Sequence, residues 1–420
     1  MKSILIYRYP CIKAFFQGKN EQKKSFVKGA IKMTKWIQLF ACTLLLFTVM
    51  PKTMMANEQK ASPLEEVKSA ILMDQSSGMI VMEKNSNDQL SPASMTKIAT
   101  LLLVMEAIKK KEITWEDIVT TSEKASSMGG SQIYLKAGEE MTVRDMVKAI
   151  SVASANDASV AMAEHLAGSE ADFVKRMNEK VKSLGLKNTV FQNATGLPAD
   201  NHVSSAYDMA QLARELLTHE EILTFTGIYE DYLRKDTEDP FWLVNTNKLV
   251  RFYKGADGLK TGFTKEAMYC LTATAKKNNM RFVAVVFGAP TAKERNETVG
   301  SMLDYGFTHY KSNTLLKEGA QVAEVPIDKG SPFYLIGVLD KPLTWLSPVK
   351  ESKQNVKKVR TISSGLQVPL KEGDQIGTMT LYVGGKEMSS VKIVAKEKVT
   401  KASFTELWMR SMNVMLKGQK

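Results

Sequence analysis

A serine hydroxyl is a weak nucleophile near neutral pH and attacks a carbonyl only when a proton acceptor lies within hydrogen-bond reach. The run Ser94-Met95-Thr96-Lys97 supplies both groups three residues apart, which on a helix places them on one face. Ser94 stands where that helix is expected to begin, so the positive end of the helix dipole favours a developing oxyanion. Lys97 can accept a proton only while its amine is neutral part of the time. The apolar neighbours Ile98, Leu101 and Leu102 predict the burial that would achieve this, and a second nearby cation, for which Lys260 is the candidate, would reinforce it. The chemistry implied is acyl transfer through a serine ester.

Ser-x-x-Lys alone carries little information. The chain repeats it at Ser25 to Lys28, Ser347 to Lys350 and Ser389 to Lys392, and Ser-x-Asn recurs at Ser411 to Asn413. Weight comes from an ordered triple: Ser94 and Lys97 at a helix start, Ser154-Ala155-Asn156 between helices, and Lys260-Thr261-Gly262 on a strand just after Asp257-Gly258. Other residues read as bland. His202 is expected to be a solvated loop histidine, Asp208 a helix-cap residue, Met128-Gly129-Gly130-Ser131 a cleft edge too short for a phosphate loop, and Trp242 core or rim.

The elements that must hold this triple are legible from pattern. Ala70 to Asp74 and Met79 to Glu83 read as a hairpin, and Pro92 precedes an apolar helix from Met95 to Lys111 that ends in three lysines suited to its C-terminal dipole. Capping-box spacings at Thr142 to Asp145, Ser169 to Asp172, Ser205 to Asp208 and Thr291 to Glu294 mark further helix starts, and Gly168 and Gly185 mark two ends. Strands follow at about Gly258 to Phe263, Tyr269 to Ala275 and Arg281 to Gly288. Strands at both ends with helices between them predict an α/β domain in which one sheet is covered by helices. Beyond Tyr310 short alternating strands predict a small all-β domain, including a hairpin around Gly384-Gly385. The last twenty residues regain helical periodicity, with Phe404, Leu407, Trp408, Met412 and Met415 on one face and Lys401, Arg410 and Lys417 elsewhere. Such a face suits a bilayer interface, or a helix docked on its own β domain.

At 420 residues, 44% hydrophobic and 24% charged, the chain can bury a core in roughly two domains. Its net charge of +12 is uneven. Residues 1 to 56 carry ten Lys or Arg against one Glu, and residues 348 to 420 carry fourteen against six acids, so the body between is mildly acidic. A nucleic-acid enzyme would place its basic stripe on the body, so nucleic acid is excluded as the partner and an anionic membrane surface is favoured. The apolar stretch Trp36 to Met50 follows Lys32 and Lys35, is closed by Pro51, and precedes Ala56, as a cleaved secretory signal does. It falls short of the roughly 20 residues of a spanning helix. The long segment before Met33 suggests that translation begins there. Cys270 is then the lone cysteine of the mature chain, in an apolar strand where an inert buried thiol is expected. The four histidines have no metal-ligand spacing, and neither metal nor cofactor is expected.

The wording SPASMTKIAT, MGGSQIYL, SVASANDASVAMAE and GLKTGFT resembles low-molecular-mass penicillin-binding proteins of the serine D-alanyl-D-alanine carboxypeptidase family, in the branch found in spore-forming Gram-positive bacteria. The resemblance implies a penicillin-recognising, β-lactamase-like catalytic domain over 57–310, a β-rich domain over 311–398 and an amphipathic membrane-association helix over 399–420, behind the signal region 1–56. It implies Ser94 as acylated nucleophile, Lys97 as proton acceptor, Ser154 as proton relay, Asn156 as a ligand of the substrate backbone, and Lys260 with Thr261 as ligands of its terminal carboxylate. Gly262 would keep the strand edge open, and the N–H groups of Ser94 and Phe263 would form the oxyanion hole. The partners implied are peptidoglycan stem peptides and, as inhibitors, β-lactams, with the protein exported to the outer face of the cytoplasmic membrane. A β-lactamase shares the three boxes, yet the class A version adds a glutamate where this chain reads Lys187 to Asn193 without a carboxylate. A transpeptidase, in which an acceptor amine competes with water for the same acyl-enzyme, also fits the boxes. A non-catalytic wall-binding module fits them less well, because Ser94, Lys97 and Lys260 are all intact.

Overall fold

The computed structural model describes residues 64–350 and 355–417. The expected signal segment and the candidate start at Met33 lie outside the described residues. Five antiparallel strands form the central sheet: β1 (Ser69–Asp74), β2 (Ile80–Lys84), β3 (Ala256–Thr264), β4 (Met268–Lys277) and β5 (Met280–Ala289). Their spatial order is β2-β1-β5-β4-β3, so strands from the two ends of the domain meet at the β1–β5 pair and β3 is left as an edge. The apolar alternation of β1 and β5 explains the two cores. Ala70, Leu72, Phe282, Ala284 and Val286 point to the side covered by a long helix (Ala292–His309), which contributes Val299, Met302 and Leu303.

Ile71, Met73, Val283, Val285 and Phe287 face the other way, into a larger core built by the helices inserted between β2 and β3. At its centre runs α1 (Lys97–Lys109), buried on nearly every side, as its apolar sequence predicts. Around it stand α2 (Val143–Ala153), α3 (Asn156–Ala167), α4 (Glu170–Ser183) and α5 (Ala206–Leu216), and the helix covering the far face is α6 (Ala292–His309). All four capping boxes form: the side chains of Thr142, Ser169, Ser205 and Thr291 each accept the N–H three residues on. Gly168 closes α3 in the left-handed conformation, with φ of 78°.

After α6 the chain is all-β. A five-stranded sheet is built from Gln321–Pro326, Tyr334–Leu339, Lys386–Ala395, Gln375–Val383 and Val356–Ile362, in that spatial order. The hairpin expected around Gly384-Gly385 is present, both glycines having positive φ. The terminal helix α7 (Phe404–Lys417) sits on this domain through its polar side. Ser331 donates to Glu406 at 2.8 Å, and Arg410 donates to the Gly330 carbonyl at 2.8 Å while lying over the Phe333 ring. Phe404, Trp408, Met409, Val414 and Met415 stay exposed. The helix thus docks on its own β domain by one face and leaves the apolar one open.

Candidate active site

A single turn of 3-10 helix (Ala93–Thr96) leads into α1 and carries Ser94 on its rim. Lys97, the first residue of α1, is wholly buried, and its Nζ lies in hydrogen-bond contact with Ser94 Oγ at 3.1 Å, Asn156 Oδ1 at 2.6 Å and the Thr195 carbonyl at 2.7 Å. Burial holds its pKa well below the ordinary lysine value, the positive charge of Lys260 lowers it further, and only Asp157 pulls the other way. Burial thus favours loss of the ammonium charge on an amine that lies 3.1 Å from the Ser94 hydroxyl.

Three segments converge on this pair. Ser154 ends α2 in the left-handed conformation (φ 64°), is buried, and has no hydrogen-bond partner for its hydroxyl among the described residues. That conformation turns the chain sharply enough for Asn156 to open α3 and reach Lys97. The other end of the Asn156 amide donates to the Gly129 carbonyl at 2.7 Å, and its backbone N–H to the Ser131 carbonyl at 2.7 Å. The Gly129-Gly130-Ser131 edge is therefore tied to the site. Gly130 is required there, because a Cβ would strike the Asn156 amide.

The edge strand β3 forms the opposite wall. Lys260 is buried, donates among the described residues only to the Thr261 carbonyl at 3.0 Å, and has a pKa lowered to about 7, by burial first and by Arg295 second. The Thr261 hydroxyl donates to Thr246 at 2.7 Å. Phe263 follows with its ring exposed against Tyr269. Gly262 has a reason different from the expected open strand edge: a Cβ would lie 2.7 Å from the Pro92 carbonyl, so glycine lets β3 press against the nucleophile's turn.

Sequence reading missed several residues that belong here. Arg295, in the first turn of α6, is buried, leans on its neighbour Asn296, and has no carboxylate partner among the described residues. Its charge helps to lower the Lys260 pKa, and a carboxylate placed beside these two buried basic groups would favour the ammonium form. Asp157, the residue after the Ser-x-Asn box, is buried and accepts the N–H groups of Ile133 and Leu135 at 3.0 and 3.1 Å. Gly196 lies against the Ala93 carbonyl with φ of 82°, where no side chain fits.

His202 corrects the expectation of a solvated loop residue. It is buried, shares a 2.8 Å hydrogen bond with Thr96, accepts the Gln192 N–H at 3.0 Å, and has its pKa lowered by burial to about 4. Asp208 lies in the first turn of α5, where its backbone N–H donates to the capping Ser205 hydroxyl and its carboxylate accepts from Asn188 and Thr189. Cys270 is buried and its thiol pKa is pushed up to about 11, as an inert core thiol requires. Trp242 is exposed on a hairpin, so it is rim and not core.

A family model described as D-alanyl-D-alanine carboxypeptidase, peptidase S11, matches residues 55–291. The chain belongs to that family. A second model, the C-terminal domain of penicillin-binding protein 5, matches residues 310–401. This carboxypeptidase-family chain is 48% identical over 382 residues to D-alanyl-D-alanine carboxypeptidase DacF of Bacillus subtilis, covering 90% of this chain and 98% of the relative. It is similar to the solved penicillin-binding protein 5 of Haemophilus influenzae at 31% identity and a TM-score of 0.63, over 80% of this chain and 98% of that one. Penicillin-binding protein D2 of Listeria monocytogenes, solved in an ampicillin-bound form, is 32% identical with a TM-score of 0.52, over 58% of this chain and 98% of that one. The expected fold, a helix-covered sheet followed by a β-rich domain, is borne out, and so is the enzyme class, a serine-type carboxypeptidase.

Proposed function

We propose that this chain hydrolyses the terminal D-Ala-D-Ala bond of peptidoglycan stem pentapeptides, and that β-lactams acylate the same serine. The reading is carried by the buried Lys97 amine, its pKa held well below the ordinary lysine value, in hydrogen-bond contact with Ser94. Lys97 takes the Ser94 proton as Oγ bonds to the penultimate carbonyl carbon. The oxyanion is held by the N–H groups of Ser94 and Phe263. The C–N bond then breaks as a proton passes by way of Ser154 to the leaving amine, and D-alanine departs. Water, deprotonated by Lys97, adds to the ester carbonyl; the acyl C–Oγ bond then breaks as Lys97 returns the proton to Ser94 Oγ, freeing the shortened peptide as its carboxylate. Asn156 orients the substrate backbone, while Lys260 and Thr261, backed by Arg295, select a free terminal carboxylate. No carboxylate touches Lys97 among its described hydrogen bonds, and Glu170, which reaches the adjoining Ala194 N–H, is paired with Lys124, which favours slow turnover of a penicilloyl ester over lactamase action.

The reading extends to location. The catalytic part spans 57–310, the β-rich part 311–398 and the terminal segment 399–420, with 1–56 directing export. The exposed Phe404, Trp408 and Met415 of α7, among basic neighbours, favour attachment to the outer face of the anionic cytoplasmic membrane. The test of the site is peptide mapping by mass spectrometry after benzylpenicillin. The adduct is expected on the peptide containing Ser94, and Ser94→Ala is expected to remove it. An adduct that persists in Ser94→Ala assigns the wrong serine.

A further inference from the structure

His202 lies outside the three boxes, yet its ring joins two of the segments that build the base. Thr96 stands between the nucleophile and Lys97 on the turn entering α1, and Gln192 opens the loop that delivers the Thr195 carbonyl to Lys97 Nζ. The loop is shaped by Asn193, whose Oδ1 accepts from Thr195 and Gly196, and Gly196 then packs under the Ala93 carbonyl. Only Asn193 and Ala194 separate Gln192 from Thr195, so movement at the first displaces the second.

We infer that His202 is a positioning residue for acylation, a rigid two-ended brace that holds the Thr195 carbonyl and the Ser94-Lys97 turn in mutual register. The inference rests on the carboxypeptidase reading above, to which it adds a residue. The hydrogen bonds settle the tautomer. Nδ1 accepts the Gln192 N–H, so in the neutral ring the proton sits on Nε2 and is donated to Thr96 Oγ1. A flat ring with a donor at one end and an acceptor at the other fixes the span between loop and turn, which an aliphatic side chain of similar bulk could fill but not set. A protonated ring would turn a second donor on the Gln192 N–H. Burial prevents this by keeping the ring neutral down to a pH of about 4. Packing of the ring against Phe191 fixes its plane.

The test compares His202→Leu, His202→Gln, Thr96→Val and the double variant His202→Leu/Thr96→Val. D-alanine release and the rate of benzylpenicillin acylation are measured per folded molecule, with thermal melting alongside. For His202→Leu, kcat and acylation are expected to fall about tenfold to a hundredfold with KM within about twofold, the signature of a misplaced reacting pair. His202→Gln, whose amide offers a donor and an acceptor in one plane, is expected to recover most of the loss. Thr96→Val is expected to cost a similar factor, and combining it with His202→Leu to cost little more, because both cut one link. Unchanged kcat in folded His202→Leu, a Gln variant no better than Leu, or fully additive losses would overturn the brace. Should the wild type release no D-alanine yet be acylated by benzylpenicillin, the carboxypeptidase reading falls by itself, and the acylation rates still decide the role of His202.

Discussion

The proposed chemistry sets opposite charge requirements on two lysines, and burial lowers the pKa of both. Lys97 must be neutral to take the serine proton, so activity is lost as pH falls through its depressed pKa. Lys260 must be charged to hold a carboxylate, and that charge is lost as pH rises through about 7 in the free enzyme. A bound carboxylate favours the ammonium form and moves this limb to higher pH. The expected profile of kcat/KM is therefore a bell whose alkaline limb begins above about 7, while kcat holds to higher pH. Profiles of D-alanine release that show no alkaline decline in kcat/KM would remove Lys260 from carboxylate binding. Gly262→Ala tests the fit of β3 on the serine turn. The added methyl meets the Pro92 carbonyl, so the variant is expected to lose about 1–3 kcal/mol in thermal unfolding and to acylate more slowly.

Among the elements, α3 joins the site to the scaffold. Its first residue, Asn156, reaches Lys97, and its second, Asp157, holds the Ile133 to Leu135 segment by two backbone hydrogen bonds. Asp157→Ala leaves those buried N–H groups unpaired. It is expected to cost about 2–4 kcal/mol in denaturant unfolding and to lower kcat through displacement of the Gly129 to Ser131 edge. A variant as stable as the wild type would show that water or a neighbour replaces the carboxylate. The four capping boxes, the central strands and the helix behind Ser94 were legible in sequence because each is a local pattern of period or spacing. Arg295, Asp157 and His202 were not legible, because what ties each to the site lies far along the chain: Lys260 for the charge of Arg295, Ile133 and Leu135 for Asp157, Thr96 for His202. His202 meets Thr96 across 106 residues, and no local spacing marks such a pair. Gly262 was singled out as part of a box, but the backbone it must clear, at Pro92, belongs to a segment far upstream.

Charge and hydropathy divide the whole molecule into a mildly acidic body, a basic β-rich end, and a helix whose polar face docks while its apolar face stays free. No helix among the described residues is long and apolar enough to cross a membrane. Removing residues 403–420 is expected to abolish sedimentation with anionic vesicles and leave D-alanine release from a soluble pentapeptide unchanged; vesicle binding that survives the deletion would place the contact elsewhere. The central claim is trimming of a free D-Ala terminus through a serine ester. Its most direct measurement incubates the soluble enzyme with a pentapeptide ending in D-Ala-D-Ala and with the same peptide amidated at its C-terminus. The expected result is one D-alanine per free-acid peptide, little or no release from the amide, and no cross-linked dimer. Equal turnover of the amide, dimer in place of free D-alanine, or no release from an enzyme that still reacts with benzylpenicillin would contradict it.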